Sequence, residues 1–308
     1  MKDFVCVSEP MRECLRLAGR VAETSAGVLI TGESGTGKNR LARFVHHNSA
    51  RRNATFVEID CAALPSDLIE AELFGYERGA FTGAVAAKPG RFEAAHKGTL
   101  VLDEIAYLPI ESQAKLLRVI ERGEFERLGA RRTVRLDARL IALTNVDLEA
   151  AVNRGAFRAD LFYRLNVVHI RVPPLRERGE DVGFLAEEFL RQLAAKHGQT
   201  ASKFAPEALS ILKEYEFPGN VRELANTVER AVVLAEGDRV EEKDLPQNVR
   251  AAAKLKARDG RPTLAELEAD YIAEVLAFVR GNKSEAARVL GISRKNLYEK
   301  IKRYRIEV

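Results

Sequence analysis

The sequence predicts an α/β domain built on a parallel sheet, a helical domain behind it, and a small all-α helix-turn-helix domain at the end. Three observations predict this. Short β-branched or aliphatic runs alternate with helix-spaced segments through the first half. From about Asp181 to Val240 the pattern is helical. Between Gly281 and Val308, eight Lys/Arg against three acids fall on a helix, a turn and a helix.

The elements follow in order. Gly27-Val28-Leu29-Ile30 is a strand that runs into a glycine-rich turn, and Arg40–Val45 behind it has helical spacing. Thr55–Ile59, Thr99–Leu102 and Arg139–Leu143 are three further strands. Strands separated by helices demand parallel pairing with both faces covered. The sheet ends near Val172, because Pro173-Pro174 continues neither a ladder nor a helix. In the helical domain Phe184, Leu185, Phe189, Leu190 and Leu193 share a face, and Leu209, Ile211 and Leu212 follow a helix start at Pro206. The small, charged stretch that ends in Gly260 and Pro262 reads as a linker. Thr263, with Glu266 three residues on, forms a capping box for a helix carrying Leu264, Leu267, Tyr271, Ile272, Val275 and Leu276. The predicted boundaries are 1–172 for the α/β domain, 173–248 for the helical one, 249–262 for the linker and 263–308 for the terminal domain.

Composition excludes several classes. Hydrophobic residues at 46% and charged residues at 31% supply a core and argue against wholesale disorder. No run approaches the roughly 18 apolar residues that span a bilayer. Met1–Cys6 lacks the apolar stretch of a secretory leader. Cys6, Cys14 and Cys61 are an odd set without metal spacing, which points to a reducing cytoplasm. The net charge of +4 is concentrated in the last segment, leaving the rest at −1. On charge alone that segment fits a nucleic-acid contact and a solvated helix equally.

The chemistry is carried by four groups of residues. Gly32-Glu33-Ser34-Gly35-Thr36-Gly37-Lys38 fits G-x-x-x-x-G-K between a strand and a helix. The N–H groups of such a loop cradle phosphate oxygens, and Lys38 reaches the β- and γ-phosphates. Asn39 replaces the hydroxyl residue that usually meets magnesium. Leu100-Val101-Leu102-Asp103-Glu104 is a buried strand ending in two carboxylates, Asp103 for magnesium and Glu104 to polarise water. Thr144-Asn145 ends another strand and fits either a γ-phosphate sensor or a turn. Together the phosphate loop and the acids imply ATP hydrolysis with Mg2+. Near the end, Gly291 suits the turn and Ser293 the cap of a helix with Leu297 and Ile301 inward. On that helix Arg294, Lys295, Asn296 and Tyr298 are placed for bases, and Lys300, Lys302 and Arg303 for phosphates.

Along essentially its whole length the chain resembles the AAA+ ATPase activators of sigma-54 RNA polymerase. The most specific block is Gly79-Ala80-Phe81-Thr82-Gly83-Ala84, the GAFTGA signature. Glu72–Gly75, Phe157–Leu165, Pro173–Arg178 and Pro218–Leu224 are further blocks that it shares. The resemblance implies an AAA+ P-loop domain with a helical lid and a Fis-type end that binds enhancer DNA. It implies that the Phe81 loop presses on sigma-54 holoenzyme. It also implies that Arg158 and Arg164 are arginine fingers toward a neighbouring protomer, which entails a homo-oligomer, from dimer to hexameric ring. Arg222 resembles the lid's sensor arginine, and the helix from Leu264 to Val279 resembles the dimerising helix of Fis-type ends. A regulatory domain usually precedes the ATPase in this family, and here the ATPase starts almost at Met1, which leaves its presence open. Two positions depart from the pattern. Asn39 stands where glutamate is common. Asp60 stands where an asparagine partners the catalytic glutamate, and a carboxylate there cannot donate to Glu104. A regulator acting by ordinary promoter contacts, or a remodeller of other complexes, would not need the intact GAFTGA block.

Overall fold

The computed structural model describes residues 6–256, 263–279, 281–304 and 306. It divides into two units, Met1–Pro246 and Gln247–Val308.

In the first unit the chain runs α1 (Glu9–Ala22), β1 (Val28–Thr31), α2 (Lys38–His47), β2 (Phe56–Asp60) and α3 (Ser66–Phe74). A ribbon of β3 (Gly75–Tyr76) and β4 (Lys88–Pro89) follows, then α4 (Arg91–Ala94) and β5 (Thr99–Asp103). Next come α5 (Ile110–Arg122), the hairpin β6 (Glu124–Glu126) and β7 (Thr133–Arg135), and β8 (Arg139–Thr144). Helices α6 (Leu148–Asn153) and α7 (Ala159–Leu165) lead to β9 (Val168–Arg171). Five strands form one parallel sheet in the order β2-β5-β8-β1-β9. The predicted strands are all present, and β9 ends at Arg171, just before the two prolines.

Strand alternation sorts the core into two layers. Leu29, Leu100, Leu102 and Ala142 face one side with Phe74, Phe92 and Phe125. Val28, Ile30, Val101, Ile141 and Leu143 face the other with Met11, Ala18 and Val45. Both faces are therefore covered, as parallel strands require. The register aligns Asp60 with Asp103 and Thr31 with Thr144. Their common edge is the carboxyl end of the sheet, where open α/β folds bind ligands.

The lid consists of α8 (Glu180–His197), α9 (Pro206–Glu214) and α10 (Asn220–Leu234), with a short parallel pair β10 (Lys203–Phe204) and β11 (Arg239–Val240). Leu185 and Leu190 are buried along with Leu224, Val228 and Val232, but Phe184 is exposed, contrary to expectation. One residue before Leu185, it is turned about 100° off the buried stripe.

The second unit holds α11 (Gln247–Lys256), α12 (Leu264–Phe278), α13 (Lys283–Val289) and α14 (Arg294–Tyr304). The stretch 249–262 was expected to be a linker, yet its first part is helical. Arg250-Ala251-Ala252-Ala253-Lys254 contains strong helix formers and no breaker. Residues 257–262, with Gly260 and Pro262, lie outside the described residues. The Thr263–Glu266 capping box is formed. Ile272, Val275 and Leu276 are buried with Ala286, Ala287 and Leu297, whereas Leu264, Leu267 and Tyr271 are exposed. Among the described residues no helix is long and apolar enough to cross a membrane.

Phe92 is fully buried, with its ring centroid 5.0 Å from that of Phe74 and 5.7 Å from that of Phe125. Replacing it by alanine is expected to cost about 3–5 kcal/mol. Urea unfolding checks this, and a loss under about 1 kcal/mol would mean that the aromatic cluster is not what holds this layer.

Candidate functional site

The glycine-rich turn leaves β1 at the carboxyl edge of the sheet and delivers Lys38 to the first turn of α2. Gly35 and Gly37 have φ of 77° and 103°, values that L side chains rarely adopt. Lys38 is only 5% exposed. Its ammonium donates to the carbonyl oxygens of Gly32 at 2.9 Å and Glu33 at 3.3 Å, and lies 3.7 Å from Glu104 Oε1. Burial pulls the lysine pKa below its ordinary value, with Glu104 and Asp103 opposing.

Strand β5 brings the two acids to the same edge. Glu104 has φ 52° and ψ 49°, a left-handed conformation unusual for this residue type. Its Oε2 accepts from the backbone N–H of Asn145 at 3.1 Å. Thus the predicted polar pair acts here through its backbone, while the Thr144 hydroxyl accepts from Val146 N–H and shapes the turn. Asp103 Oδ1 accepts from Glu104 N–H at 3.0 Å, and Oδ2 from the Asn39 amide at 2.9 Å. Asp60 does not bond Glu104. Its Oδ1 accepts from the N–H groups of Ala62 and Ala63, capping the turn after β2. The nearby Cys61 thiol is pushed up to about 12, first by burial and then by Asp60, Asp103 and Glu104. A cleft of about 400 Å³ opens beside the loop, walled in part by Thr31, Gly32, Glu33, Asn145, His169 and Arg171.

The lid closes directly on this loop. Glu33 makes two hydrogen bonds with Arg176, at 2.6 and 2.8 Å, and accepts a third from Asn220. Arg222 donates to the Ser34 hydroxyl at 2.9 Å, and Val221 N–H to the Gly35 carbonyl at 3.0 Å. A Cβ on Gly35 would sit 2.3 Å from the Gly219 carbonyl oxygen. Glycine here serves the lid contact as much as any ligand.

Between β3 and β4 the loop tip closes on itself. Gly79 N–H donates to the Ala84 carbonyl and Ala84 N–H to that of Phe81. Gly79 and Gly83 take positive φ with open space around them. Thr82 is exposed at the tip and Ala80 half-buried beside Gly129. Phe81 is 39% exposed and sets its ring edge-on against Tyr76, with centroids 4.9 Å apart. It neither folds into the core nor stands free.

Two predicted arginines lie elsewhere. Arg158 is half-buried and held by Asp160 at 2.7 and 3.0 Å. Arg164 is exposed and reaches only the Ile120 carbonyl at 3.5 Å. Neither joins Lys38, Asp103 or Glu104 of its own chain. In the second unit Arg294, Lys295, Asn296, Tyr298, Lys302 and Arg303 are exposed on α14, whose Leu297 is buried. Lys300 differs from expectation. It is half-buried and paired with Glu268 of α12 at 2.6 Å, because it follows the inward side of the helix.

Residues 4–171 match the family described as "Sigma-54 interaction domain". The chain belongs to the sigma-54-dependent transcriptional activators. Residues 176–261 match "AAA+ ATPase lid domain" and 263–304 match "Bacterial regulatory protein, Fis family". The chain is 44% identical to regulatory protein AtoC of Escherichia coli over 97% of its own length and 67% of AtoC's. It is 41% identical to the DNA-binding transcriptional regulator NtrC of Rhizobium meliloti, over 98% and 69%. Solved structures of NtrX from Brucella abortus with ADP and with ATP resemble it at TM-scores of 0.75 and 0.76, 35% identity and 98% coverage. The match spans 68% and 69% of those NtrX chains. The protein is thus an AAA+ ATPase and a DNA-binding activator, as its residues predict.

Several residues of this activator escaped sequence reasoning. Arg127 on the β6–β7 hairpin bonds Glu93 twice, at 2.7 and 2.8 Å, and Glu77 at 2.9 Å, fastening the base of the Phe81 loop. Buried Gln113 accepts from Arg158 N–H and donates to the Ala156 carbonyl, fixing the backbone that carries Arg158. Buried Arg178 donates to the Thr36 carbonyl, and its neighbour Asp181 binds the N–H groups of Val7 and Ser8. Each is an ordinary polar residue in sequence, and only the long-range partner gives it meaning.

The contacts from Arg176 and Asn220 hold the Glu33 carboxyl down to about 2 from its ordinary 4.5. A depressed folded-state pKa contributes stability that is present above pH 4.5 and lost as pH falls toward 2. Glu33→Gln is expected to remove that acid-sensitive step and to speed hydrogen exchange at Val221, whose N–H bonds the loop. An unchanged acid profile would show that the lid does not depend on this carboxylate.

Proposed function

We propose that this activator hydrolyses ATP at Lys38, Asp103 and Glu104 and uses the Gly79–Ala84 tip to press on sigma-54 RNA polymerase holoenzyme. Its target promoters are reached through enhancer DNA bound by α14. The observation that carries this reading is the meeting of Lys38, Asp103 and left-handed Glu104 at one sheet edge, under a lid that touches the phosphate loop.

The donor set fits a magnesium–nucleotide. Asp103 offers hard carboxylate oxygens, each with one hydrogen bond made and lone pairs remaining. Magnesium is commonly held by one or two carboxylates together with phosphate oxygens. Asp103 would hold it, directly or through water, and when bound it neutralises charge on the phosphates. Gly32 N–H donates to the Thr144 carbonyl and Thr36 N–H to that of Glu33, the other N–H groups of Gly32–Gly37 would face the phosphates, and Lys38 would supply the positive charge. Asn39 lies beside Asp103 and carries no hydroxyl for the metal. Glu104, fixed by Asn145, accepts the proton of the attacking water. Arg222 senses the nucleotide from the lid. The NtrX structures with ADP and ATP support a nucleotide in this place.

Arg158 is half-buried and Arg164 exposed, and neither bonds its own catalytic acids, which supports action in trans within a homo-oligomer, hexameric when active. In the second unit, Arg294, Lys295, Asn296 and Tyr298 read base edges, and Lys302 and Arg303 hold phosphates. The exposed Leu264, Leu267 and Tyr271 on α12 supply an apolar face for a second copy of that unit. The setting is the cytoplasm, where promoters and polymerase are found.

Glu104→Gln is expected to lower ATP turnover about 10²–10⁴-fold while ATP still binds. Phe81→Ala is expected to abolish open-complex formation in a reconstituted sigma-54 transcription assay and to leave hydrolysis intact. Full activation by Phe81→Ala would refute the role of the tip. Arg294→Ala is expected to weaken specific DNA binding by about 1–3 kcal/mol and to relax the preference at one base, which a footprint series would read.

A further inference from the structure

Asn39 is the first residue beyond Lys38, and its side chain is neutral. Its amide nevertheless spans two strands. Nδ2 donates to Asp103 Oδ2 on β5 at 2.9 Å and to Glu58 Oε1 on β2. Both neighbours are carboxylates, which accept and do not donate when ionised, so only the NH2 end of the amide can face them. The other oxygen of Glu58 is bound by Arg43, whose guanidinium sits 4.8 Å from the centre of the Phe56 ring. A connected row results: Arg43, Glu58, Asn39, Asp103. With Oδ1 taken by Glu104 N–H, the amide completes the fixing of both Asp103 oxygens.

We infer that Glu58 is a positioning residue for the metal-binding aspartate and acts through Asn39. The inference rests on the reading of Asp103 given above. A bare asparagine has two amide hydrogens and several acceptors available to it, water included. Glu58 captures one hydrogen with an anion and is itself held by Arg43, so the second hydrogen is directed at Asp103. Charge-assisted hydrogen bonds are the stronger kind, and polarisation along the row strengthens the next link. Partners that orient a metal's ligands change metal affinity by about 10–100-fold when removed. The alternative is a partly exposed Arg43–Glu58 pair of little consequence, as surface pairs usually are. The two readings differ in what Glu58 does to metal affinity.

The test uses the full chain, ADP, and Mn2+ as a paramagnetic stand-in for magnesium. Electron paramagnetic resonance gives the affinity of the protein–ADP complex for Mn2+, and ADP affinity without metal is measured alongside. Glu58→Gln is expected to weaken Mn2+ binding about tenfold and to leave metal-free ADP affinity unchanged. Asn39→Ala, which preserves a helix-forming residue on α2, is expected to weaken Mn2+ at least as much. The double variant is expected to match Asn39→Ala alone, because Glu58 then has nothing to act through. Equal Mn2+ affinity for wild type and Glu58→Gln would overturn the inference while the site reading stands. So would effects that multiply in the double variant. A wild-type chain that binds neither ADP nor Mn2+–ADP would overturn the site reading and this inference with it.

Discussion

A buried ammonium with only neutral carbonyls as hydrogen-bond partners is the constraint around which the first unit is arranged. Lys38 sits among the oxygens of Gly32 and Glu33, and its nearest counter-charge is Glu104 at 3.7 Å. Desolvation makes such a charge costly and lowers its pKa. Glu104 and Asp103 oppose that cost from the strand end, and neither is within hydrogen-bond distance of the ammonium. Keeping the lysine there requires a loop with left-handed residues, a strand that ends in acids at the right depth, and a cover. The parallel sheet supplies the first two at its carboxyl edge, because β1, β5 and β8 stop in register. The lid supplies the third.

Charge is distributed with a consistent sense. Asp103 and Glu104 come from the end of β5, Lys38 from the first turn of α2, and the arginines that meet the loop from the lid. Arg176 meets Glu33, Arg222 meets Ser34, and Arg178 meets the Thr36 carbonyl. Anything that changes the loop is thus felt by three lid arginines at once. Arg158 and Arg164 are left out of this set although they share the same sheet-bearing half of the unit. Gln113 holds the backbone at Arg158 in place from within. The Arg158 guanidinium is engaged by Asp160, so both ends of the residue have partners within its own chain.

Much of the fold and site was legible because it depends on local chemistry. Alternating apolar runs specify buried strands, glycines specify left-handed turns, and a carboxylate pair after Leu102 has few structural uses. What stayed illegible depends on partners far along the chain. Lys300 looked like its basic neighbours, and only the position of Glu268 on another helix withdraws it. Arg127 carries no motif and acquires a role from Glu77 and Glu93. Composition alone makes 249–262 a linker, but helix propensity decides over Ala251–Lys256. Glu58 alternates properly within a strand, and nothing local says that Asn39 will reach it.

Asp60 has local backbone partners rather than Glu104. A side-chain switch between positions 60 and 104 requires a donor at 60, and the Asp60 carboxylate is committed to Ala62 and Ala63 N–H. A backbone link takes the same route. Cys61 N–H donates to the carbonyl of Asp103 at 2.9 Å, so the strand end that carries Asp103 is tied to the chain entering α3. Helix α3 is short and runs directly into β3 at Gly75-Tyr76, where the Tyr76 ring supports Phe81. On the other side, Leu128 N–H donates to Gly75 and Arg127 grips Glu77, so the base of the loop is braced from two directions. Contacts thus run without a break from the β5 end to the tip through a backbone hydrogen bond, a helix and an aromatic pair. In this chain the aspartate serves to stiffen the turn at the start of that route, a task for which two backbone N–H groups and a carboxylate are sufficient.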